Sequence, residues 1–407
     1  MTTSSTKSRF AFDTPAQAIE AMLTRIESLG VEQVALRHAA GRVLGQALQA
    51  DRPSPACDVG AMDGYAIPAS IPRDRMPVVG EVAIGQPPPA MPMDGALRIF
   101  TGGPVPDGCA AIIPREQVQE QPDAISLPPD IRIKPGQHIR RRGENGQAGD
   151  TIAEQGTPIT PTVAAALAAC GIAEPHVHRC VRLAAIVTGN EVNDVSAKVN
   201  PWQLRDSNGP ALTALFAARP WVDWQGVDHT TDDRDQLREK IEAALADCDV
   251  LLLTGGVSMG DYDFVPAVLA ELGCEIIFHK LPIRPGKPAL GAIGPQGQTV
   301  LGLPGNPVSV MTTARRIALP VLRHRAGFAR AAPTAACVTL INPDDKQLPL
   351  YWSRPVRLVA NGRAELIATR GSGDIISAAR SDGFIEISAN QTGPGPWPLY
   401  PWGAGDD

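Results

Sequence analysis

The feature that most constrains the fold is an alternation of short apolar runs with helical stretches in the second half of the chain. Near-continuous apolar residues occupy Val181–Val187, Val250–Leu253 and Thr299–Leu303. Such runs are typical of strands that are buried on both faces of a sheet. Helical patterns lie between them at Pro210–Arg219 and Asp232–Asp247. Because strands that alternate with helices usually pair in parallel, we predict a central, doubly wound, mostly parallel α/β domain.

A further helix is predicted near the N-terminus. Thr14 and Gln17 have the spacing of a capping box, and Pro15 occupies the first helical position. The residues that follow place their apolar side chains on one helical face, and we expect the helix to end near Gly30. The apolar residues of this face are Ile19, Met22, Leu23 and Ile26.

Two other parts of the chain have the texture of β-structure. From about Asp51 to Gly149, short β-branched runs are separated by Pro and Gly clusters, which predicts an inserted β-rich domain. In the final part, Val356–Ala360 and Arg363–Ile367 are joined by Asn361-Gly362, the preferred sequence of a type I′ hairpin turn. The length of 407 residues leaves room for several domains. The fold class predicted is therefore a multidomain α/β plus β protein, with a separate C-terminal β domain.

Composition excludes several classes of protein. The net charge of −6 argues against a chain-wide surface for nucleic acid or anionic membranes, so any anion must be bound locally. The 7 cysteines are scattered and form no CxxC pair, which excludes a zinc finger and a disulfide framework. No signal peptide or membrane span is expected from the apolar pattern, and we predict a cytoplasmic location.

Glycine-containing loops follow the three best predicted strands. They are Thr188–Glu191, Thr254–Asp261 and Leu303–Ser309. In open α/β sheets, ligands bind beyond the carboxyl ends of the strands, where glycine lets backbone N–H groups approach an anion. A phosphate-bearing ligand fits these loops, although each loop alone could simply be a tight turn. None of them matches GxGxxG or GxxxxGK[ST], so the ligand is left open.

Carboxylates crowd the same predicted strand ends. Glu191 lies in the first loop, Asp261 and Asp263 lie in or beside the second, and Asp232 precedes a helix. Carboxylates beside phosphates repel them unless a divalent cation such as Mg²⁺ lies between. A metal is thus indicated if the ligand is anionic. The alternative is that Asp232 caps its helix and Asp261 serves a turn.

A basic segment rich in proline follows. Lys280, Arg284 and Lys287 lie within nine residues that also contain three prolines. Because prolines reduce the freedom of a loop, little ordering entropy would oppose binding of an oxyanion. Solvated surface charge is the alternative interpretation.

Taken together, the motifs closely resemble one family, the molybdopterin molybdenumtransferases, which are bacterial relatives of the gephyrin E domain. The matching phrases occur in family order over nearly the whole chain. They are Ala61–Ala66, Arg98–Pro106, His138–Glu144, Thr188–Glu191, Asp206–Asn208, Thr254–Asp263, Arg284–Pro288 and Leu303–Ser309.

The resemblance implies the last step of molybdenum-cofactor synthesis, in which adenylylated molybdopterin and molybdate give the cofactor and AMP. Mg²⁺ is the cofactor implied, and molybdate is a substrate. The implied catalytic residues are Asp63, Glu191, Asp232 and Asp263, with Glu191 and Asp263 as metal ligands. The implied substrate-binding residues are Thr101, Lys280, Arg284, Lys287, Ser309, Arg354 and Ser372.

The sequence departs from the family pattern at three of these phrases. Asn190 replaces the aspartate usual in the first loop, Asn145 stands where an aspartate is common, and Arg284 stands where lysine is frequent. Arg284 keeps the charge but changes a point donor into a planar fork.

The resemblance also implies an elongated homodimer whose sites are shared between subunits. The implied partners are molybdopterin adenylyltransferase and apo-molybdoenzymes, with no nucleic acid and no membrane. The domain boundaries predicted are 1–27 for a helix joining the α/β domain, 28–50 with 147–178 for a linker domain, 51–146 for the β-rich domain, 179–328 for the α/β domain and 329–407 for the C-terminal β domain.

Two alternatives remain open at this point. Molybdopterin adenylyltransferase uses a similar α/β domain, but that activity needs far fewer residues than this chain has. A non-catalytic scaffold is the other alternative, because the gephyrin relative anchors other proteins.

Overall fold

A computed structural model describes residues 10–70, 75–258, 260, 263–332 and 334–403; Asp261 of the predicted carboxylate set lies outside them. The chain divides into two compact units. The first contains the described residues of Met1–Gln46, Gln155–Ala165 and Ala173–Asp407, and the second those of Ala47–Glu154 and Ala166–Ile172. The finer division into five segments stays a prediction.

The strands of the first part of the chain are β1 (Val31–Gln33), β2 (Leu48–Gln49), β3 (Val59–Gly60), β4 (Gly64–Pro68), β5 (Met76–Glu81), β6 (Ala96–Ile99), β7 (Cys109–Pro114), β8 (Gln119–Glu120), β9 (Ala124–Ser126), β10 (Ile139–Arg140), β11 (Thr151–Ala153) and β12 (His176–His178). The strands that follow are β13 (Val181–Thr188), β14 (Val192–Asn193), β15 (Leu204–Arg205), β16 (Val222–Thr230), β17 (Val250–Thr254), β18 (Glu275–His279), β19 (Ile283–Arg284), β20 (Leu290–Ile293), β21 (Thr299–Leu303), β22 (Cys337–Leu340), β23 (Tyr351–Ala360), β24 (Arg363–Leu366), β25 (Gly383–Ile387) and β26 (Trp397–Pro401).

The α-helices are α1 (Pro15–Leu23), α2 (Pro161–Ala169), α3 (Asn208–Phe216), α4 (Arg234–Asp247), α5 (Val265–Glu271), α6 (Pro307–Thr313), α7 (Leu319–Arg325) and α8 (Ile375–Ala378). A π-helical turn at Ala314–Ala318 connects α6 to α7, and short 3₁₀ turns occur at Leu36–His38 and Arg115–Gln117. Among the helices of the described residues, none has the length and apolar character needed to cross a membrane.

The first unit is organised around a six-stranded sheet with the order β16-β13-β17-β21-β20-β18. Only β20 runs antiparallel to its neighbours, so the predicted mostly parallel sheet is confirmed. The apolar run of strand β17 is continuous because alternate residues of this strand enter two different cores. Val250 and Leu252 pack on one face, and Leu251 and Leu253 pack on the other with the residues of α4 and α5.

Helix α1 belongs to the first of these cores. Its capping box is present as predicted, with Thr14 and Gln17 bonded reciprocally. Ala18, Ile19 and Met22 are buried in the same cluster as the strand residues. The helix ends at Leu23, earlier than the predicted Gly30, although Ile26 continues the apolar contact without helical structure.

The C-terminal strands of the first unit form a closed barrel. Strands β23, β24, β22, β26 and β25 pair in that order, and β25 pairs with β23 to close the ring. The predicted hairpin of β23 and β24 is confirmed, but the predicted type I′ turn is wrong. That turn requires positive φ at both central residues, and among the described residues Gly362 has it (67°) while Asn361 does not.

Strand pairing and an ion pair both help to attach this barrel to the α/β sheet. Strand β19, which lies in the basic segment, pairs in parallel with β23 through Ile283 and Tyr351 and through Arg284 and Trp352. The guanidinium of Arg316, in the π-helical turn, also bonds both carboxylate oxygens of Glu386 in the barrel, at 2.9 and 3.1 Å. The basic segment is therefore held between the two layers.

The second unit contains a six-stranded sheet of its own, with the order β7-β4-β6-β5-β9-β8. Strand β4 begins at Gly64, which pairs with Ile99 of β6 in antiparallel register. A side chain at Gly64 would place its Cβ 2.0 Å from the carbonyl oxygen of Ile113, so only glycine fits there. This register brings the residue before β4, Asp63, close to Thr101 beyond the end of β6.

Candidate functional site

The three glycine-containing loops meet at one edge of the central sheet. Thr254, at the end of β17, lies opposite Val187 of β13 and Leu303 of β21 in parallel register. The loops that follow these strands therefore start side by side. Gly255 has a φ of +88°, and a Cβ there would lie 2.5 Å from the hydroxyl of Thr188. Glycine is required for the backbone to approach this closely.

A cavity with a volume of about 760 Å³ opens above these loops. We call it the glycine-loop cavity. Its walls include three of the carboxylates predicted from the sequence, together with residues of the segment before α3 and of the C-terminal domain. Its lining residues include Thr188, Glu191, Asp206, Asn208, Asp232, Asp263 and Asn306.

The predicted carboxylates are held differently. Glu191 is exposed in the cavity wall. Asp232 is half-buried, and its carboxylate accepts a hydrogen bond from the Asn190 N–H while its own N–H donates to the Asn190 side chain, each over 3.1 Å. Asp263 accepts from the Gly260 N–H over 2.6 Å.

The alternative interpretation of Asp232 as a helix cap is wrong. Asp233 caps α4, since its carboxylate accepts hydrogen bonds from the N–H groups of Asp235 and Gln236. The paired bonds between Asp232 and Asn190 instead direct Asp232 to the cavity. These bonds also give a structural role to Asn190, which departs from the family pattern. Its side-chain oxygen accepts a hydrogen bond, and the oxygen of an aspartate could accept the same bond.

Asp206 organises the segment before α3, although the sequence did not single it out as a site residue. One carboxylate oxygen accepts from the N–H groups of Asn208 and Gly209, and the other lies 2.9 Å from Nε2 of His229. The Asp206 side chain is only 4% exposed. Its place in the matched phrase Asp206–Asn208 was the signal that could have identified it.

Two buried polar atoms at the floor of this cavity suit a polar ligand. The Nδ2 group of Asn208 donates to the carbonyl oxygen of Gly305 over 2.9 Å, which fixes the orientation of the amide. Within the described part of the chain, neither Asn208 Oδ1 nor Thr188 Oγ1 has a hydrogen-bond partner. Buried polar atoms are nearly always satisfied in folded proteins, so unpaired ones beside a cavity favour a binding site.

The carboxylates in this cavity also fit a divalent cation bound together with a phosphate. Among the described residues, no group of three or more His, Cys, Asp or Glu side chains is gathered tightly enough to hold a metal alone. Mg²⁺ usually takes one or two protein carboxylates and completes its shell with water and substrate phosphates. Glu191 and Asp263, both with hard oxygen donors at the cavity wall, suit that pattern.

A second cavity, of about 620 Å³, lies between the basic segment and the barrel. We call it the basic cavity. Arg284, Lys287, Ser309 and Ser372 line it, as does Arg370, which the sequence did not suggest. None of the described residues in its lining is acidic. The cavity therefore has the charge and hydroxyl groups to bind an oxyanion.

Two predicted anion-binding residues, Lys280 and Arg354, are not among the described residues that line this cavity. The N–H of Lys280 donates to the carbonyl oxygen of Ala289 and so closes the base of the basic segment. The guanidinium of Arg354 bonds both carboxylate oxygens of Asp344, at 2.7 and 2.8 Å. This ion pair holds the pKa of Asp344 below its usual value.

Although Arg354 does not line the basic cavity, it contacts an aromatic ring that does. Its guanidinium lies 4.3 Å from the ring centroid of Trp352, which lines the cavity, and the guanidinium of Arg284 lies 5.7 Å from the same ring. Cation–π contacts of this kind fix the position of both partners. Arg354 thus lies behind the wall that carries Arg284.

Asp63 and Thr101 lie in the second unit and form a compact pair. One oxygen of Asp63 accepts from the Thr101 N–H over 2.8 Å and from its hydroxyl over 2.7 Å. These hydrogen bonds, led by the one from the backbone, hold the pKa of Asp63 below its usual value. Asp63 is therefore an exposed acid whose ionised form is stabilised by Thr101.

Comparison with known proteins finds the same family over most of the chain. Residues 14–171 match the family described as "MoeA N-terminal region (domain I and II)", and residues 184–324 match "Probable molybdopterin binding domain". A relative from Synechococcus elongatus, named molybdopterin molybdenumtransferase, is 38% identical over 75% of this chain and 78% of its own. A relative of the same name from Synechocystis is 29% identical over 95% of this chain and 99% of its own.

Solved structures agree with this result. The crystal structure of a molybdopterin biosynthesis MoeA protein from Pyrococcus horikoshii has a TM-score of 0.78 and 26% sequence identity, over 95% of this chain and 98% of that one. A second structure of the protein from the same organism has a TM-score of 0.76 and 27% identity, over 96% of this chain and 98% of that one.

Proposed function

This chain belongs to the molybdopterin molybdenumtransferase family, and we propose that it inserts molybdate into adenylylated molybdopterin, giving the molybdenum cofactor and AMP. The observation that carries the proposal is the adjacency of two cavities with complementary chemistry. The glycine-loop cavity is lined by glycine loops and carboxylates. The basic cavity is lined by cations, and none of its described lining residues is acidic. Asn306 lines both, so a substrate in one would lie next to a substrate in the other.

The glycine-loop cavity would hold the phosphoanhydride of adenylylated molybdopterin. Backbone N–H groups of the glycine-containing loops suit phosphate oxygens. Asp232 would position a water at the anhydride, since its carboxylate is fixed by the Asn190 N–H. Glu191 and Asp263 would hold Mg²⁺, which when bound would neutralise charge on the phosphates.

The basic cavity would bring molybdate to the dithiolene sulfurs of the pterin substrate. Arg284 and Lys287 supply positive charge, while the hydroxyls of Ser309 and Ser372 supply directional hydrogen bonds. Lys280 would support the base of the basic segment. Arg354 would act through Trp352, by keeping that ring and therefore Arg284 in place.

Asp63 and Thr101 are proposed to complete the site of a partner subunit in a homodimer. The support is that both residues fall on phrases matched to the family's substrate site, while the remaining site residues belong to the other unit of the chain. Hydrogen bonds from Thr101 lower the pKa of Asp63 and fix its carboxylate, which could orient a cation or a proton donor on the substrate. A two-fold symmetric dimer would then contain two equivalent composite sites.

The compartment and the protein partners follow from the same proposal. All seven cysteines are free thiols, which suits the reducing cytoplasm. Adenylylated molybdopterin would be received from molybdopterin adenylyltransferase, and the finished cofactor would pass to apo-molybdoenzymes.

The test separates this activity from that of an adenylyltransferase. The purified protein is incubated with Mg²⁺ and either adenylylated molybdopterin plus molybdate or molybdopterin plus ATP. We expect AMP from the first mixture and no pyrophosphate from the second. Pyrophosphate release from the second mixture, with no AMP from the first, would replace the proposed function with the adenylyltransferase activity, and neither product would favour a scaffold.

A further inference from the structure

The basic cavity contains a cation that has no counterpart in the motifs of the sequence. Arg370 lines this cavity together with Arg284 and Lys287. Its side chain is exposed, and among the described residues its guanidinium has a charge interaction with Asp374, whose pKa it helps to lower. We propose that Arg370 is a direct anion-binding residue, which adds a guanidinium contact to the tetrahedral dianion beside Arg284 and Lys287.

The first reason is that Arg354 is already committed to another carboxylate. Both of its terminal nitrogens bond Asp344, and its side chain is only 14% exposed. Freeing it for an anion would leave the Asp344 carboxylate without its bidentate partner, which is costly for a half-buried pair. Arg370 forms no bidentate pair of this kind among the described residues, so it can bind an anion without breaking one.

The second reason is that the loop carrying Arg370 is anchored before any ligand binds. The N–H of Arg370 donates to the Asp374 carboxylate over 2.9 Å. Two residues later, the Ser372 carbonyl oxygen accepts from the Val308 N–H over 3.0 Å, and its hydroxyl accepts from Asn306 over 2.9 Å. A fixed backbone reduces the entropy lost when the guanidinium closes on an anion.

The third reason is charge. Asp374 is the carboxylate next to Arg370 in this loop, and it is occupied as the cap of α8, with hydrogen bonds from the N–H groups of Arg370 and Ser377. With no acid among the described lining residues, the three cations give the cavity a local excess of positive charge in a chain whose net charge is −6. A planar guanidinium can also bond two oxygens of one oxyanion, which a lysine cannot do.

The inference rests on the proposed function, because molybdate is the oxyanion that this function supplies. It adds a specificity-determining residue: with Arg370 present, a doubly charged tetrahedral anion should be favoured over a singly charged one of similar size. Sulfate is also a doubly charged tetrahedral anion, so it should compete with molybdate for the site, whereas singly charged perchlorate should compete only weakly.

The experiment is a calorimetric titration of the full-length protein with molybdate alone, at constant ionic strength. We compare wild type with Arg370→Gln, Lys287→Ala and Arg354→Gln, and with Arg363→Gln as a matched control on an exposed part of the same barrel. Removing one charge-assisted contact should weaken molybdate binding about tenfold or more in Arg370→Gln. Arg363→Gln should bind molybdate as wild type does, and Arg370→Lys should fall between Arg370→Gln and wild type.

Stability and turnover distinguish a direct contact from a structural role. Arg370→Gln should keep the melting temperature of wild type, whereas Arg354→Gln should lower it because Asp344 loses its partner. In AMP release, Arg370→Gln should raise the half-saturating molybdate concentration and leave the rate at saturation nearly unchanged.

Wild-type molybdate binding in Arg370→Gln would overturn the inference. If Lys287→Ala were weakened in the same series, the proposed function would still stand. Absence of molybdate binding by the wild-type protein would instead remove the proposed anion site, and this inference with it.

Discussion

The side-chain amide of Asn306 donates a hydrogen bond to the hydroxyl of Ser372 over 2.9 Å. Asn306 precedes α6 in the α/β layer, and Ser372 lies in the loop before α8, so this bond joins the two layers. Asn306 lines both cavities and Ser372 lines the basic cavity. The bond therefore lies where the two proposed substrates would meet.

A double-mutant cycle tests whether this bond couples the cavities. We expect Asn306→Ala and Ser372→Ala each to lower kcat/KM for molybdate. The double variant should lose less than the product of the single losses, with a coupling energy of about 1 kcal/mol, typical of a net hydrogen bond. Independent effects of the two substitutions would mean that the bond does not couple the two residues in turnover.

Glu191→Gln tests the proposed essential acid. The substitution keeps the shape of the side chain and removes its charge, so we expect normal folding and loss of most AMP release at saturating Mg²⁺ and molybdate. Glu239→Gln, at an exposed position of α4, is the matched control and should retain activity. Normal turnover in Glu191→Gln would exclude Glu191 as an essential acid.

The pKa of Asp63 should depend on Thr101. Hydrogen bonds from the backbone and hydroxyl of Thr101 lower this pKa from 3.8. Thr101→Val removes the hydroxyl and keeps the N–H, so the pKa should rise part of the way back, as followed by carbon NMR of labelled aspartate with Asp63→Asn for assignment. Because the folded-state pKa is depressed, the pair stabilises the fold above the unfolded pKa, and that contribution is lost as pH falls through the folded one. An unchanged midpoint in Thr101→Val would contradict the assignment.

Mixed dimers test whether the site is shared between subunits. Asp63→Asn and Glu191→Gln homodimers should each be nearly inactive. A heterodimer with one variant of each kind would contain one doubly defective site and one intact site, so it should recover about half of the wild-type activity. A folded heterodimer that is as inactive as its parents would exclude the shared site.

The central α/β domain could be predicted because its strands are buried on both faces, which leaves continuous apolar runs in the sequence. The positions of Glu191, Asp232 and Asp263 at one cavity followed from the same rule, since parallel strands end at a common edge. Asp232 and Asp233, however, are adjacent aspartates, and local sequence does not distinguish the residue that caps α4 from the one that faces the cavity.

The basic cavity could be predicted only in part. Its wall depends on pairing of the two-residue strand β19 with β23, more than sixty residues later, and so short a strand leaves no periodic signal. The sequence could not show that Asp344 pairs with Arg354, nor that Arg370 faces the cavity. Both depend on contacts between distant segments of the chain.

The proposed molybdate insertion is best tested by AMP release from adenylylated molybdopterin, measured while molybdate is titrated at constant Mg²⁺. We expect a saturable dependence on molybdate in wild type, a higher half-saturating concentration in Lys287→Ala, and a much lower maximal rate in Glu191→Gln. AMP release by folded wild-type protein that does not respond to molybdate, or no AMP release at any molybdate concentration, would contradict it.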